Sequence, residues 1–317
     1  VSVSSRFTTA ANWPAMEDTE LIKSSATDDD DGAKPRRGGA ADPTPLWVTM
    51  AIYVATALMQ PTLTDEIRYS GGAGHVGWPP TVLATASNTV AMASLLAIAP
   101  GGWAALRQTL RSKSSATVLM CTAIDFASGC LLTTGLLMVG GGTFVVVYAS
   151  TSVWTAIWAR CTGQRLSFGR WAGVGMVFAG MVLHSSQGLM HAAAEGMAAS
   201  TSLVLGLCAV VVGTMLHAAM FVVSELAIKQ SQIDLLQLCA GMGLIETTVL
   251  LLWNGLLLTV FGPSLYLPDA PPAREGAGLQ RVLLLYLLLT LVNAVHAWSF
   301  FHMLSRVGAV TSAVMKG

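Results

Sequence analysis

Residues 122–132 read TAIDFASGCLL, and the single aspartate in that stretch, Asp125, governs how the rest of the chain is read. Its neighbours are apolar or small, of the kind that face lipid. A carboxylate at mid-bilayer costs several kcal/mol, on the order of 3, unless polar partners or water compensate for it. An acid so placed is a functional-site candidate, provided that the flanking sequence crosses a membrane.

Composition supports the membrane. The chain has 317 residues, of which 53% are hydrophobic and 11% charged, with a mean hydropathy of +0.62. A soluble protein carries about 25% charged residues, so most of this chain does not face water. The formal net charge is +0, and bulk charge therefore signals neither a nucleic-acid partner nor an acidic substrate. The cysteines Cys121, Cys130, Cys161, Cys208 and Cys239 are scattered singly through apolar runs. They read as small packing residues, without the spacing of a metal or redox motif.

Residues 1–45 are polar, with DDDD at 28–31 and KPRRGG at 34–39. That composition cannot bury a core and predicts a disordered tail. It contains no apolar secretory segment. Met16 opens MEDTELIK, so residues 1–15 are expected to lie upstream of the natural start, and EDTELI (17–22) fits an acidic-dileucine sorting pattern.

Spanning ~30 Å of hydrocarbon takes about 20 helical residues. The blocks that qualify are 46–64, 81–99, 117–139, 143–161, 169–189, 201–223, 235–262 and 282–303, and a ninth begins near 308. Their continuous apolarity, without period-two alternation, predicts helices rather than barrel strands. Lys and Arg near the helix ends set orientation. Lys34, Arg36, Arg37, Arg107, Arg111, Lys113, Arg160, Arg165, Arg170, Lys229 and Arg306 fall on the N-terminal side, against Arg68, Arg274 and Arg281 on the other. The N-terminus is therefore expected to be cytosolic.

Shifted by 168 positions, 123–147 (AIDFASGCLLTTGLLMVGGGTFVVV) matches 291–315 (LVNAVHAWSFFHMLSRVGAVTSAVM) at Val139-Gly140 with Val307-Gly308, Thr143 with Thr311 and Val146 with Val314. Asp125 falls on Asn293. Each lies 12 residues past a cation, Lys113 or Arg281, that marks the start of its span. At 1.5 Å per residue both sit about 18 Å deep, reached from opposite sides. That pattern predicts an inverted repeat with a binding site at the midplane between the halves. Asp125 and Asn293 then face a shared hydrated cavity; a structural Asp bonded to a neighbouring helix is the simpler alternative.

The stretch VVVYASTSVWTAIWARCTGQRLSFGRWAGVGMVFAGMVL (145–183) resembles the drug/metabolite transporter superfamily, in the order Gly163, Arg165, Leu166, Ser167, then Trp171, Gly173, Gly180 and Leu183. Within that EamA-like superfamily the chain is most similar to solute carrier family 35. Asp125 is similar to an acid early in the third helix of those relatives. The run 206–238, with Ser224-Glu225, resembles their sixth helix and its exit, where two acids are usual. VGAVTSAVMKG (307–317) resembles the ninth-helix segment of nucleotide-sugar transporters, with Lys316 at the matching lysine.

The resemblance covers residues 46–317. It implies an all-α multi-pass membrane protein of ten helices in two inverted five-helix repeats, 46–189 and 201–317. The chain holds eight spans and part of a ninth. Lys316 would lie about 15 Å into that ninth helix, so the protein is expected to continue beyond residue 317. Span one ends in QPTLTDEIRY, which matches no recognised substrate motif, and Glu246 has no counterpart among the relatives.

Other polar residues complete the candidate site. Lys316 is the expected partner of an anionic solute. His296 lies three residues past Asn293 on the same helix face, and His217 and His302 are also intramembrane. Glu246, in span seven, is either a second cavity carboxylate or a helix–helix hydrogen bonder. His184, His191 and Glu195 have helical spacing but no evident fourth ligand for a metal. Gly140, Gly141, Gly142, Gly173, Gly175, Gly180 and Gly213 read as close-packing positions, with the triple glycine also turning span three into span four. Pro61 is expected to unwind the end of span one.

The predicted function is a secondary carrier for a small polar, anionic metabolite such as a nucleotide-sugar or phosphate, working by alternating access. Substrate contacts are expected at Asp125, Asn293, Lys316, His296 and Glu246. A non-transporting scaffold or receptor on a carrier fold is the alternative. An intramembrane aspartyl protease needs two aspartates where only Asp125 qualifies, and no serine-protease turn is present, so an enzyme is not expected. No cofactor or metal is expected. The expected partners are the solute, the lipid bilayer and a second copy of the chain as a homodimer. The expected location is an endomembrane, in the Golgi, vacuole or lysosome.

Overall fold

The structure is a computed structural model that describes residues 44–73, 79–112, 114–194, 201–231, 233–262 and 278–316. The predicted tail over 1–45, apart from residues 44 and 45, and its sorting pattern lie outside the described residues. What is described is all-helical. In chain order the helices are α1 (Leu46–Tyr69), α2 (Pro80–Ala97), α3 (Gly102–Arg111), α4 (Ser115–Val139), α5 (Gly141–Cys161), α6 (Phe168–Ala194), α7 (Thr201–Ser231), α8 (Leu235–Phe261), α9 (Leu279–Val307) and α10 (Ala309–Lys316).

Seven of the described helices are long and apolar enough to cross a membrane: α1, α2, α4, α5, α7, α8 and α9. The chain is accordingly a multi-pass membrane protein by length and composition. Helix α6 has 27 residues but is not among the seven. Arg170 and the polar run His184-Ser185-Ser186-Gln187 dilute its hydropathy. Helix α3, short and strongly two-faced, was not expected. It buries Leu106 and exposes Trp103.

Helix α9 illustrates how sequence period sets the packing. Leu283, Leu284, Leu287, Leu288, Leu291 and Val295 are exposed, on the face suited to lipid. Val282, Tyr286, Leu289, Asn293, His296 and Phe300 recur at helical spacing on the opposite, buried face. Extensive interfaces join α4 to α7 and α1 to α9. Helix α2 lies on α8, and α5 packs against both α7 and α10.

Three local findings differ from expectation. Pro61 does not unwind α1, which continues through it to Tyr69. Proline removes one backbone donor, leaving the Ala57 carbonyl without that bond, and a packed bundle tolerates the loss. The irregular backbone lies elsewhere. Helix α2 contains a π turn over Thr85–Thr89, and α5 is interrupted at Ala149 and Ser150. Gly175 and Gly180 do not pack closely, since a side chain there would meet open space.

Close approach falls on other glycines. A Cβ at Gly243 would lie 2.4 Å from the backbone nitrogen of Ala93, so α8 presses on the α2 backbone at that point. Gly135 and Gly206 do the same for α4 and α7, with Gly213 against Leu131 and Leu132. Small residues matter in lipid because dispersion, rather than water exclusion, holds helices together.

Two helix junctions share one construction. Helix α4 ends at Gly140 with φ of 79°, and α9 ends at Gly308 with φ of 82°. The next helix begins one residue later in each case. The new N-termini meet carboxylates from distant helices. Asp65 of α1 accepts from the Gly141 N–H at 3.1 Å, and Glu225 of α7 accepts from the Ala309 N–H at 2.9 Å. Each acid is also paired with a cation about one turn on, Arg68 and Lys229 respectively. Orphan N–H groups at a helix start carry partial positive charge and favour an acid there.

Gly243→Leu is expected to break the α2–α8 contact, at a cost of several kcal/mol by overpacking against backbone. Size-exclusion profiles and thermal melts of detergent-purified protein would show a lost or strongly shifted transition. Gly175→Ala and Gly180→Ala should leave both readouts within about 0.5 kcal/mol of wild type.

Candidate functional site

A cavity of about 230 Å³ lies inside the bundle. Helices α1, α2, α4, α5, α7 and α9 line it, together with Met315 of α10. Its polar lining includes Gln60, Asn88, Asp125, His217, Asn293 and His296. The rings of Phe221, Phe300 and Phe301 pack tilted and edge-on into one wall, with centroids of Phe221 and Phe300 4.4 Å apart. The cavity extends to Thr64, Leu136 and Phe144, near the Gly140 junction.

Each polar side chain reaches the cavity through its helix register. Tyr53, Thr56, Gln60 and Thr64 recur every three or four residues along α1 as a polar stripe, of which Gln60 and Thr64 line the cavity. The π turn in α2 turns Ser87 and Asn88 to the cavity. Such turns add one residue per turn and are frequent at functional sites. On α9, the three-residue step from Asn293 to His296 keeps both on one face, and both line the cavity.

Asp125 is 2% exposed. Its Oδ1 lies 3.6 Å from Nδ1 of His217 on α7. Ser128 donates to the Asp125 carbonyl at 2.8 Å and sits 3.5 Å from the same imidazole nitrogen. The His217 ring is held edge-on by Phe221 and tilted against Tyr148. Asp125 therefore faces an imidazole whose orientation aromatic packing restricts.

The α9 side of the cavity is a hydrogen-bonded amide network. Gln60 donates its side-chain N–H to Asn293 Oδ1. Asn293 in turn donates to the Leu289 carbonyl at 2.8 Å. The Thr56 hydroxyl donates to the Ile52 carbonyl at 2.7 Å and lies 2.9 Å from His296 Nδ1. A hydroxyl has one proton, so with it given to Ile52, His296 is assigned as the donor to Thr56. The His296 ring stacks on Tyr53 at 4.8 Å. Tyr53 is fully buried, and its hydroxyl has no hydrogen-bond partner.

The five sequence-predicted site residues divide. Asp125, Asn293 and His296 line the cavity. Glu246 does not; it stands on α8 and is 1% exposed. Its Oε1 has no hydrogen-bond partner. The Lys316 side chain lies outside the described residues, as do the side chains of His184, His191 and Glu195. His302 hydrogen-bonds within its own helix, to the Trp298 carbonyl at 2.9 Å. Among the described residues no group of three His, Cys, Asp or Glu is arranged to hold a metal ion.

No protein-family model matches the chain, and no curated protein sequence matches it. The chemistry of the cavity therefore carries the functional reading. Gln60, Thr56, Tyr53, Asn88 and the role of His217 were missed from sequence. The signal for the α1 residues was their shared helical face, and for Asn88 the polar run Thr85-Ala86-Ser87-Asn88-Thr89 inside an apolar block.

Interhelical hydrogen bonds in membrane proteins average about 0.6 kcal/mol, with a maximum near 1.7. Gln60→Met and Thr56→Val should each lower stability by roughly that amount, read as a reduced Tm in detergent. A double-mutant cycle of Gln60→Met with Asn293→Leu should give a coupling of about 0.6 kcal/mol. A coupling of zero would mean that the two amides do not meet.

Proposed function

We propose that the chain is a secondary carrier of the drug/metabolite transporter type, closest to solute carrier family 35. In this reading residues 46–189 and 201–317 belong to two inverted repeats of a ten-helix fold. The N-terminus is cytosolic and the location an endomembrane. The observation that carries the proposal is the shared cavity: Asp125 and Asn293, read at equal depth from opposite faces, both line it.

The junction geometry supports the repeat. Val139-Gly140 and Val307-Gly308 share a positive glycine φ, an immediate new helix and a remote carboxylate on its first N–H. The interface of α4 with α7 corresponds to that of α9 with α1 under the same exchange of halves. Rocking of one half against the other about the fixed cavity gives alternating access.

The lining narrows the solute. It contains one carboxylate, two imidazoles, amides and aromatic rings, and no lysine or arginine among the described residues. That chemistry favours a neutral or cationic solute, through Asp125 and the faces of Tyr148, Phe144 and Phe300. The cavity volume of about 230 Å³ falls below the ~300–1,000 Å³ of sites for drug-sized ligands, so the solute is small. The anionic reading, a phosphate or nucleotide-sugar, depends on Lys316. It is favoured by Met315, which lines the cavity one residue before that lysine.

The test is uptake into proteoliposomes with a panel of small amines, neutral metabolites, phosphates and nucleotide-sugars. Accumulation of an amine or neutral solute above protein-free vesicles, lost in Asp125→Asn at unchanged expression, supports the reading. Uptake of phosphates alone, lost in Lys316→Ala, selects the anionic alternative. No uptake of any solute would favour a non-transporting scaffold or receptor.

A further inference from the structure

We infer that Ser87, Asn88 and Thr133 form a neutral subsite of the cavity that takes a carboxamide group of the solute. The three side chains line the cavity, two from α2 and one from α4. Among the described residues none offers them a hydrogen bond. The other polar groups of the lining are more fully engaged. Thr64 donates to the Gln60 carbonyl at 2.9 Å, and the side chains of Gln60 and Asn293 bond to each other. A polar group left without a partner in an apolar bundle costs free energy until water or a ligand supplies one.

The backbone that carries Ser87 and Asn88 is braced by its neighbours. The π turn Thr85–Thr89 packs on α8 and α9. Asn254 of α8 accepts from Thr81 at 2.7 Å and donates to the Thr85 hydroxyl at 3.3 Å. Thr247 of α8 donates to the Thr89 hydroxyl at 3.0 Å. The Thr290 hydroxyl of α9 lies 2.8 Å from the Ala86 carbonyl. Both ends of the turn are thus bonded to other helices, while the two side chains between them bond nothing. Such turns are frequent at functional sites, and a recognition group held on a rigid, supported element is what binding requires.

Helix α4 leaves room for a ligand at Asn88. A Cβ at Gly129 would meet only the Asn88 side-chain nitrogen, at 3.9 Å. Asp125, Gly129 and Thr133 follow at four-residue steps on one face of α4, and all three line the cavity. At 1.5 Å per residue Gly129 lies about 6 Å along the helix from Asp125, and Thr133 about 12 Å. The neutral subsite is therefore separate from the Asp125–His217 pair and shares its cavity.

The chemistry of the three groups selects the ligand. A carboxamide presents an acceptor and two donors together. Its complement is a second carboxamide, which donates to the one and accepts from the other. The hydroxyls of Ser87 and Thr133 turn to donate or accept as needed. A carboxylate would set an acceptor against the Asn88 carbonyl, and a ketone or ester would leave that carbonyl without a donor. The inference rests on the carrier reading and refines it, but binding at the subsite does not require transport.

The experiment is equilibrium dialysis of radiolabelled benzamide against the full chain in lipid nanodiscs, with empty nanodiscs as the blank. Wild type is expected to retain benzamide above the blank. Unlabelled benzamide should displace it at roughly tenfold lower concentration than acetophenone, which keeps the ring and carbonyl but lacks the N–H group. Asn88→Leu should weaken benzamide roughly tenfold and bring the two competitors level. Asn88→Gln, which keeps the amide, should retain the preference, so that a loss in the leucine variant is not the mark of a misfolded chain. Gly129→Val leaves Asn88 in place and fills the space beside it, and should also weaken benzamide. No retention in wild type, equal competition by the two compounds in wild type, or an unchanged preference in Asn88→Leu would overturn the inference. Neither probe is charged and nothing crosses a membrane, so failure of the proteoliposome panel would leave the subsite standing, and failure here would leave the carrier reading standing.

Discussion

A polar group inside a lipid-embedded helix bundle has no water to fall back on, and that constraint organises this molecule. Every backbone donor and acceptor in a spanning segment must be bonded internally. Each intramembrane side chain that can bond must find a partner or line a wet cavity. Most hydroxyls on α1, α2 and α4 turn back on their own helix: Thr64 to Gln60, Thr89 to Thr85, Thr122 to Val118. Gln60, Asn88, Asp125, His217, Asn293 and His296 instead converge on the cavity, while the buried Tyr53 hydroxyl and Glu246 Oε1 have no hydrogen-bond partner. The bundle is in this sense sorted by hydrogen-bonding capacity, with leucine outside, back-bonded threonine between, and amides, imidazoles and one carboxylate at the centre.

The same constraint explains the helix ends. A chain that reverses direction within one residue leaves several N–H groups of the new helix unpaired. Gly140 and Gly308 permit the reversal because their φ angles are unfavourable for any residue with a Cβ. Asp65 and Glu225 then answer the exposed donors, and each is neutralised in turn by a cation on its own helix. An acid that caps a distant helix ties two elements of the bundle together. Glu225, which looked from sequence like the remnant of an acidic pair, is explained by this role alone.

The helices were legible because they follow from composition and from a fixed rise per residue. Asp125, Asn293 and His296 could be placed on one cavity by counting from the flanking cations. What could not be read depends on which face of one helix meets which face of another. His217 and Asp125 are 92 positions apart, and nothing local links them. Pro61 looked like a breaker by its own properties, yet α1 continues through it to Tyr69. The glycines of α6 looked like packing residues by analogy with small-residue motifs. The close approaches instead fall at Gly243, Gly135 and Gly206, where crossing geometry brings backbones together. The π turn in α2 is a property of how Thr85 to Thr89 fit against α8 and α9, and propensity does not encode it.

Charge balance at the centre limits what this cavity can bind. Lysine or arginine beside Asp125 would neutralise it permanently and leave the site indifferent to protons. Histidine at 3.6 Å does so only when protonated. Asp125, Ser128 and His217 thus form one polar cluster drawn from two helices, in which Phe221 and Tyr148 fix the imidazole that the carboxylate meets.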